Sequence, residues 1–599
     1  MKRSYEQNIR WSLLLVSALL CVVQAFLAIY GNDVIGGSLT GNLLAPFAFL
    51  VLFVFVLGVN PILGRTGLIR PLNRAELMAV LFALLVTSGV SRAGLTSMVV
   101  PTVVTPHNQN WNTPQRGWSE HLIPQLNPAL YIDDQEQIAK FNEGWGPITM
   151  MKDGQDITLR KPPPTAGWGE RVTYWRALIS TIPWATWAKP LAYWMIFVVG
   201  FYGVFYCLCL TVIDYWSNRE KLIFPHVQVA TLLLPTVEQS SGRIPPFVRA
   251  PQFWLGFAIV FAFVAWQDAA ALQLVGSLTR LPQGLNTATI SALLQGTMFE
   301  GASGPWNNYS LSFSFGFLAI GIAFLVPLEI SFSIWFYYLA VMFMMVVGVW
   351  MGFGQTMADF PSDNLWQNNP ISALGGGALF LFGGVCLYRS VKDYVLQSSG
   401  RPWNQKISIL TPPLGLAGFM LLLVEWFSWN NLPLVWGFVL VGTLTVISLS
   451  IMRLTAEAGI HSIHLYTGFF HVYMVFELGR LLSPLIAAAM LPICAVFFLY
   501  YWTPLGPNLL NATRARAEVA AGRARFHLNI ISSIAITIVF SLGFAIFMAY
   551  LMGANAKHPW FYNRVPQQIF DQALNLAVSE PKMESSNVFG IVLGPRGLG

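Results

Sequence analysis

Charge is what this sequence has least of. Only 10% of its 599 residues are Asp, Glu, Lys or Arg, while 55% are hydrophobic, a composition outside the range of water-soluble globular domains. None of its lysines follows a glycine, so it has no GxxxxGK phosphate loop, and direct use of ATP would need a separate subunit. HExxH and GxSxG are both missing, which removes gluzincin and α/β-hydrolase sites. There are few cysteines, and Cys21, Cys207, Cys209, Cys386 and Cys494 all lie inside apolar runs with no CxxC spacing, so neither a disulfide framework nor thiol chemistry is expected. No solenoid-type repeat, low-complexity tract or basic stripe occurs; the net charge of +7 is spread in small groups between apolar segments, which excludes nucleic acid as a partner.

What remains is apolar runs of the length a helix needs to cross hydrocarbon. Their recurrence predicts an all-α polytopic integral membrane protein forming one transmembrane domain over 1–599, with about 12 to 14 crossings. Helices are expected near 11–30, 43–59, 76–100, 191–213, 253–275, 311–327, 330–351, 373–388, 410–427, 433–452, 484–502 and 528–552. The first run continues to Tyr30, longer than the apolar core of a cleaved signal, so it reads as a retained helix. Lys2, Arg3 and Arg10 before it and Arg65, Arg70 and Arg74 after the second helix put the N-terminus in the cytoplasm of a cell's inner membrane. Residues 105–188, rich in Trp and Pro, then form an extracytoplasmic cap with indoles at the headgroups. Arg514, Arg516, Arg523 and Arg525 would fall on the wrong side unless one more segment crosses. The expected one is 454–480, interrupted by Gly459 and Gly468 and therefore read as a broken or re-entrant helix.

That segment also carries the densest polar pattern. At about 100° per residue, Arg453, Glu457, His461, His464 and His471 fall within an arc of about 80°. Titratable groups at membrane depth are costly and usually face a partner or a water-filled cavity. Three roles are open to this face: a proton or substrate path, a site where neutral imidazoles hold a transition metal, or a solvated amphipathic helix whose shared face disappears if Gly459 ends it. Asp268, deep in the fifth predicted helix, and Glu300, in the Gly- and Asn-rich stretch 295–310, are further candidates for lining a path. Asn73 and Glu76, three residues apart, read as a helix N-cap. Gly301–Gly304 spells a GxSG that resembles the serine motif of rhomboid intramembrane proteases, but Pro305 and WNNYS follow it. No residue set singles out a catalytic centre, and no cofactor is expected.

Four stretches, NPILGRTGLIRPLNRAEL, YWSNREKLIFPHVQVATLL, VPLEISFSIWFYY and RLTAEAGIH, resemble an uncharacterised bacterial family of large membrane proteins known as a domain of unknown function. More distantly, Arg219–Leu234, with Leu222, Phe224 and Pro225 ahead of a small-residue helix, is similar to the LTFPSG-type segment of oligopeptide transporters, which implies proton-coupled carriage of peptides or metal chelates through discontinuous helices; His226 and Val227 depart from that pattern. The expectation is a secondary, ion-gradient-coupled transporter of a small solute or peptide-like substrate. A non-catalytic subunit of a larger membrane complex and an intramembrane enzyme are the alternatives, and the partners expected are the lipid bilayer, the solute and either further copies of the chain or other membrane subunits.

Overall fold

A computed structural model describes residues 7–31, 35, 44–67, 69–91, 95–144, 148–152, 155–159, 163, 165–235, 244–273, 284–285, 313–314, 316–350, 370–398, 403–460, 484–498 and 505–578. The chain begins with α1 (Ser12–Tyr30) and α2 (Pro46–Thr66), the latter carrying a π-helical turn over Val54–Val59 just before Pro61, which has no amide to donate. The Asn60 side chain closes the turn after α2, donating to Leu72 O and accepting from Leu72 N, both at 2.9 Å. α3 (Arg74–Ser91) opens on the reciprocal cap its spacing predicts: Asn73 Oδ1 accepts from Glu76 N at 2.8 Å and Glu76 Oε2 accepts from Asn73 N at 3.0 Å. α4 (Leu95–Val104) continues it toward the cap, which holds α5 (Gln135–Glu143), the antiparallel pair β1 (Ile148–Lys152) and β2 (Gln155–Leu159), and α6 (Trp168–Thr181).

The chain then re-enters the bundle through α7 (Trp184–Asp214), turns into the short α8 (Pro225–Leu232) and leaves along α9 (Pro251–Ala271). A two-residue ladder, β3 (Gly284–Leu285) with β4 (Phe313–Ser314), precedes α10 (Phe317–Ala323), α11 (Leu328–Trp350), α12 (Pro370–Ser398), α13 (Trp403–Ser428) and α14 (Leu434–Ala458). Last come α15 (Pro484–Phe498), α16 (Leu505–Glu518), α17 (Arg523–Met552) and α18 (Val565–Val578). Eight of these runs among the described residues are long and apolar enough to cross a bilayer: α1, α2, α3 with α4, α7, α9, the second part of α13, α14 and α17. The protein is an all-α polytopic membrane protein.

Lipid offers no hydrophobic drive for helices to associate, so packing and polar contacts hold them. α1 lies along α17 and α3, where Gln24 Nε2 donates to Leu84 O at 3.0 Å, Asn529 Nδ2 to Ala79 O at 3.1 Å, and the Ser91 and Ser541 hydroxyls meet at 2.6 Å. α7 packs along α13, and α14 along α12 and α13.

The two ends of the bundle are identified by what they gather. At one end Gln7 bridges Ala521 in parallel, and Arg525 Nη1 donates to Asn8 Oδ1 and Ile9 O at 2.6 and 2.7 Å. Arg514, Arg516, Arg523 and Arg525 therefore share an end with the N-terminus. At the other end Gly144 (φ +83°) and Gly553 (φ +82°) meet backbone to backbone, where a Cβ on Gly144 would sit 2.7 Å from Gly553 N. Asn127 Nδ2 there reaches Asn430 Oδ1 at 3.1 Å, so the α13–α14 turn also lies under the cap.

Three expectations are corrected. Residues 454–458 do not open a separate helix but form the last turn of α14, which stops at Gly459 in the left-handed region (φ 62°). The helix expected over 484–502 is described over Pro484–Phe498, with 499–502 outside the described residues, and α16, which was not expected, follows. α9 ends at Ala271, so Asp268 stands one turn from its end rather than deep within it.

Candidate functional site

α15 and α16 are described over 15 and 14 residues, Pro484–Phe498 and Leu505–Glu518. α15 packs against α4 and α18 and against Trp118–Gln125 of the cap; α16 packs against α3, α7 and α14 and runs toward the basic end. α15 thus lies toward the cap and α16 toward the basic end. α16 starts inside the protein: Asn508 Nδ2 donates to Leu85 O at 2.7 Å, about 16 Å along α3 from Arg74, and Cys209 Sγ approaches Gly506 O at 3.5 Å. Pro507 suits the first turn of a helix, and side chains at Gly506 have no room, because a Cβ there would lie 2.8 Å from the Phe205 ring.

The start of α8 and the end of α14 converge beside α16. Phe224, in the left-handed region at φ 51°, turns the chain into Pro225 and α8 and donates its amide to Ala456 O at 2.9 Å. Strain of this kind in a non-glycine residue persists only where surrounding packing imposes it, and Phe224 is fully buried beneath the Arg514 guanidinium, 5.8 Å from its ring. Gly459 ends α14 against Pro225; a Cβ there would lie 2.9 Å from Pro225 Cβ and 2.8 Å from Ile322 Cγ2. The freed Gly459 carbonyl accepts from His226 Nε2 at 3.0 Å, and Asn511 Nδ2 donates to His226 Nδ1 at 3.3 Å. This pairing selects the Nε2–H tautomer of a neutral imidazole. Asn511 spends its amide nitrogen on His226, and its Oδ1, fully buried, has no partner among the described residues. Such an orphaned carbonyl is an acceptor waiting for a donor or a cation.

Arg453 and Glu457 occupy the last two turns of α14. Arg453 Nε donates to Glu457 Oε2 at 2.8 Å, its Nη1 pairs with Glu220, and its guanidinium lies 5.4 Å from the Trp216 ring centroid. Arg219 approaches Asp393 at 3.7 Å, so ion pairs tie the basic ends of α7, α12 and α14 together. Arg453 is thus a hub between helix ends with its charge already matched.

The left-handed Gly459 breaks the helical period, so the proposed common face ends at Glu457 and spacing no longer puts His461, His464 and His471 on it. Those three histidines, Glu300 and Ser303 lie outside the described residues. Asp268 is exposed, its neighbour Gln267 is the buried one, and α9 packs mainly against the Pro246–Arg249 turn among the described residues. The structure therefore joins Arg453 with Glu457 but not with Asp268. Missed in the sequence were His226, Asn508 and Asn511. Their signals were modest: a histidine directly after the helix-opening Phe224–Pro225, and two asparagines at i,i+3 behind Gly506–Pro507.

Among the described residues no group of three or more His, Cys, Asp or Glu side chains is placed to hold a metal ion. None of the curated proteins compared with the chain matches it, and nothing in the comparisons supports the oligopeptide-transporter likeness of 219–234. A family profile matches residues 3–596, nearly the whole chain, and by that match the protein belongs to DUF6785, a family of unknown function.

Proposed function

We propose that this protein is a secondary transporter, carrying a small polar or peptide-like solute by alternating access, with its site where α16 begins. The observation that carries this reading is the buried Asn511 Oδ1, without a partner among the described residues, beside His226 and the Gly459 carbonyl where the end of α14 meets the start of α8. Helices that start or stop within such a bundle leave polar backbone to be satisfied, and carriers use those ends to hold substrates and coupling ions. Asn508 lies in the first described turn of α16, and the positive end of a helix favours the carboxylate of a peptide-like solute over a cation. With ion-gradient coupling as the energy source, His226, in contact with Asn511, is the titratable group assigned to proton exchange with the path. By the positive-inside rule the arginine-rich end faces the cytoplasm and the cap the outside, in an inner membrane. His461, His464, His471 and Glu300 remain expected contributors from outside the described residues.

The test is a thiol scan of Asn508→Cys and Asn511→Cys in a cysteine-free background, using a membrane-impermeant reagent on intact cells and on inverted vesicles, with and without an imposed pH gradient. Labelling from both faces, with the balance shifted by the gradient, is the expected result. Labelling from one face alone, insensitive to the gradient, would remove the transport reading in favour of a subunit that scaffolds a membrane complex.

A further inference from the structure

The basic end of the bundle contains a cleft of about 950 Å³ between the start of α1, the end of α2, the turn before α3, the approach to α9 and the start of α17. It is lined by Arg10, Arg65, Arg70, Arg249 and Arg525 against a single carboxylate, Glu76. That carboxylate is already committed: its two oxygens accept from Arg10 Nε at 2.7 Å, Arg10 Nη2 at 2.9 Å and the Arg10 amide at 3.1 Å. Arg10 Nη1 also donates to Arg70 O at 2.9 Å, fixing the turn that carries Arg70. Arg525 is held by Asn8 Oδ1 and Ile9 O and lies 5.1 Å from the Trp11 ring, without a carboxylate. Arg65, Arg70 and Arg249 are exposed and have no side-chain partner among the described residues.

Among the described residues, fixed arginines face three free ones and the one lining acid is neutralised, a poor arrangement for an empty cleft, because the like charges repel one another. It is a good one for a polyoxyanion, which guanidinium groups bind through paired, charge-assisted hydrogen bonds. We propose that this cleft binds a phosphate-bearing anion through Arg65, Arg70 and Arg249. Candidate spans α1, α2, α9 and α17 all end at its rim, so the phosphate of an anionic lipid headgroup can enter sideways from the leaflet and that of a soluble phosphorylated compound from the water. This inference stands apart from the transport reading, since the cleft lies at the bundle's end and shares no residue with the His226–Asn511 junction.

The full-length protein, purified in a neutral detergent, would be mixed with phosphatidylglycerol, phosphatidylcholine or inorganic phosphate, and binding read by native mass spectrometry and by the shift in thermal unfolding. Wild type should prefer phosphatidylglycerol to phosphatidylcholine, and Arg65→Gln/Arg70→Gln/Arg249→Gln should bind it about tenfold more weakly or worse. Each single Arg→Gln variant should show a smaller loss, which keeps the result readable if the triple variant folds poorly. Arg176→Gln, on exposed α6 of the cap, should bind as wild type. Loss for the lipid alone assigns a headgroup source; loss for inorganic phosphate as well assigns a soluble one. Equal binding of both lipids, or no change in any of the single and triple variants, overturns the site.

Discussion

The cap end and the basic end of this bundle are fastened by different chemistry. Under the cap, Trp426 lies 4.8 Å from Phe197 and 5.9 Å from Trp194, and its indole donates to Tyr193 O at 3.0 Å; Trp187 donates to Tyr550 Oη at 3.1 Å beside Phe141. These rings are buried and come from α5, α7, α13 and α17, so separating them reopens apolar area and exposes indole donors at once. At the basic end Arg453, Glu220, Glu457, Arg219 and Asp393 hold α7, α12 and α14 by ion pairs that reach water and can exchange partners. The difference gives the two ends different resistance to separation.

The largest expected effect breaks the ring cluster. Trp426→Ala should cost about 3–5 kcal/mol, the range for removing a large buried aromatic, seen as a lower thermal midpoint in detergent. A loss no greater than that of Glu220→Gln would dissolve the contrast between the ends. Next, Glu76→Gln leaves Arg10 with two carbonyls and no counter-charge; because Arg10 is partly exposed and can rehydrate, the cost should be about 1–3 kcal/mol rather than that of a fully buried broken pair. Glu220→Gln should cost only about 1 kcal/mol in stability, yet raise labelling of Asn511→Cys from the basic end several-fold. Unchanged labelling would mean the ion pairs are not a latch.

The smallest effect concerns pH at the cap. Burial holds His107 below its usual 6.5, with Asp133 pulling weakly the other way. The unfolded chain therefore accepts a proton that the folded cap resists, so the cap keeps this part of its stability above about pH 6.5 and loses it as the pH falls below that. His107→Asn should flatten that arm of the stability profile, measured by cap tryptophan fluorescence between pH 5 and 8.

Much of the fold was legible because lipid imposes strict rules. α1, α7, α14 and α17 stand close to where the apolar runs put them, and the Asn73–Glu76 cap is as its spacing predicts. The site was less so. The polar face drawn through Arg453 and the histidines assumed an unbroken helical period, and one left-handed glycine ends it. α16 was overlooked because its NLLNATRARAE stretch is too polar to look like a membrane helix, although ten of its residues are buried against α3, α7 and α14. Of the further crossing expected over 454–480, residues 454–458 belong to α14 and 461–480 lie outside the described residues.

By itself the sequence determined the solvent: too few charges and too many long apolar runs for water, hence helices that satisfy their own backbones. The clustering of arginines between particular apolar runs is likewise readable without coordinates. Only the tertiary structure decided that Asn511 faces His226, that Gly459 ends a helix against Pro225, and that five arginines from distant segments enclose one cleft. Those facts depend on contacts between residues hundreds of positions apart, and local periodicity carries no information about such pairs.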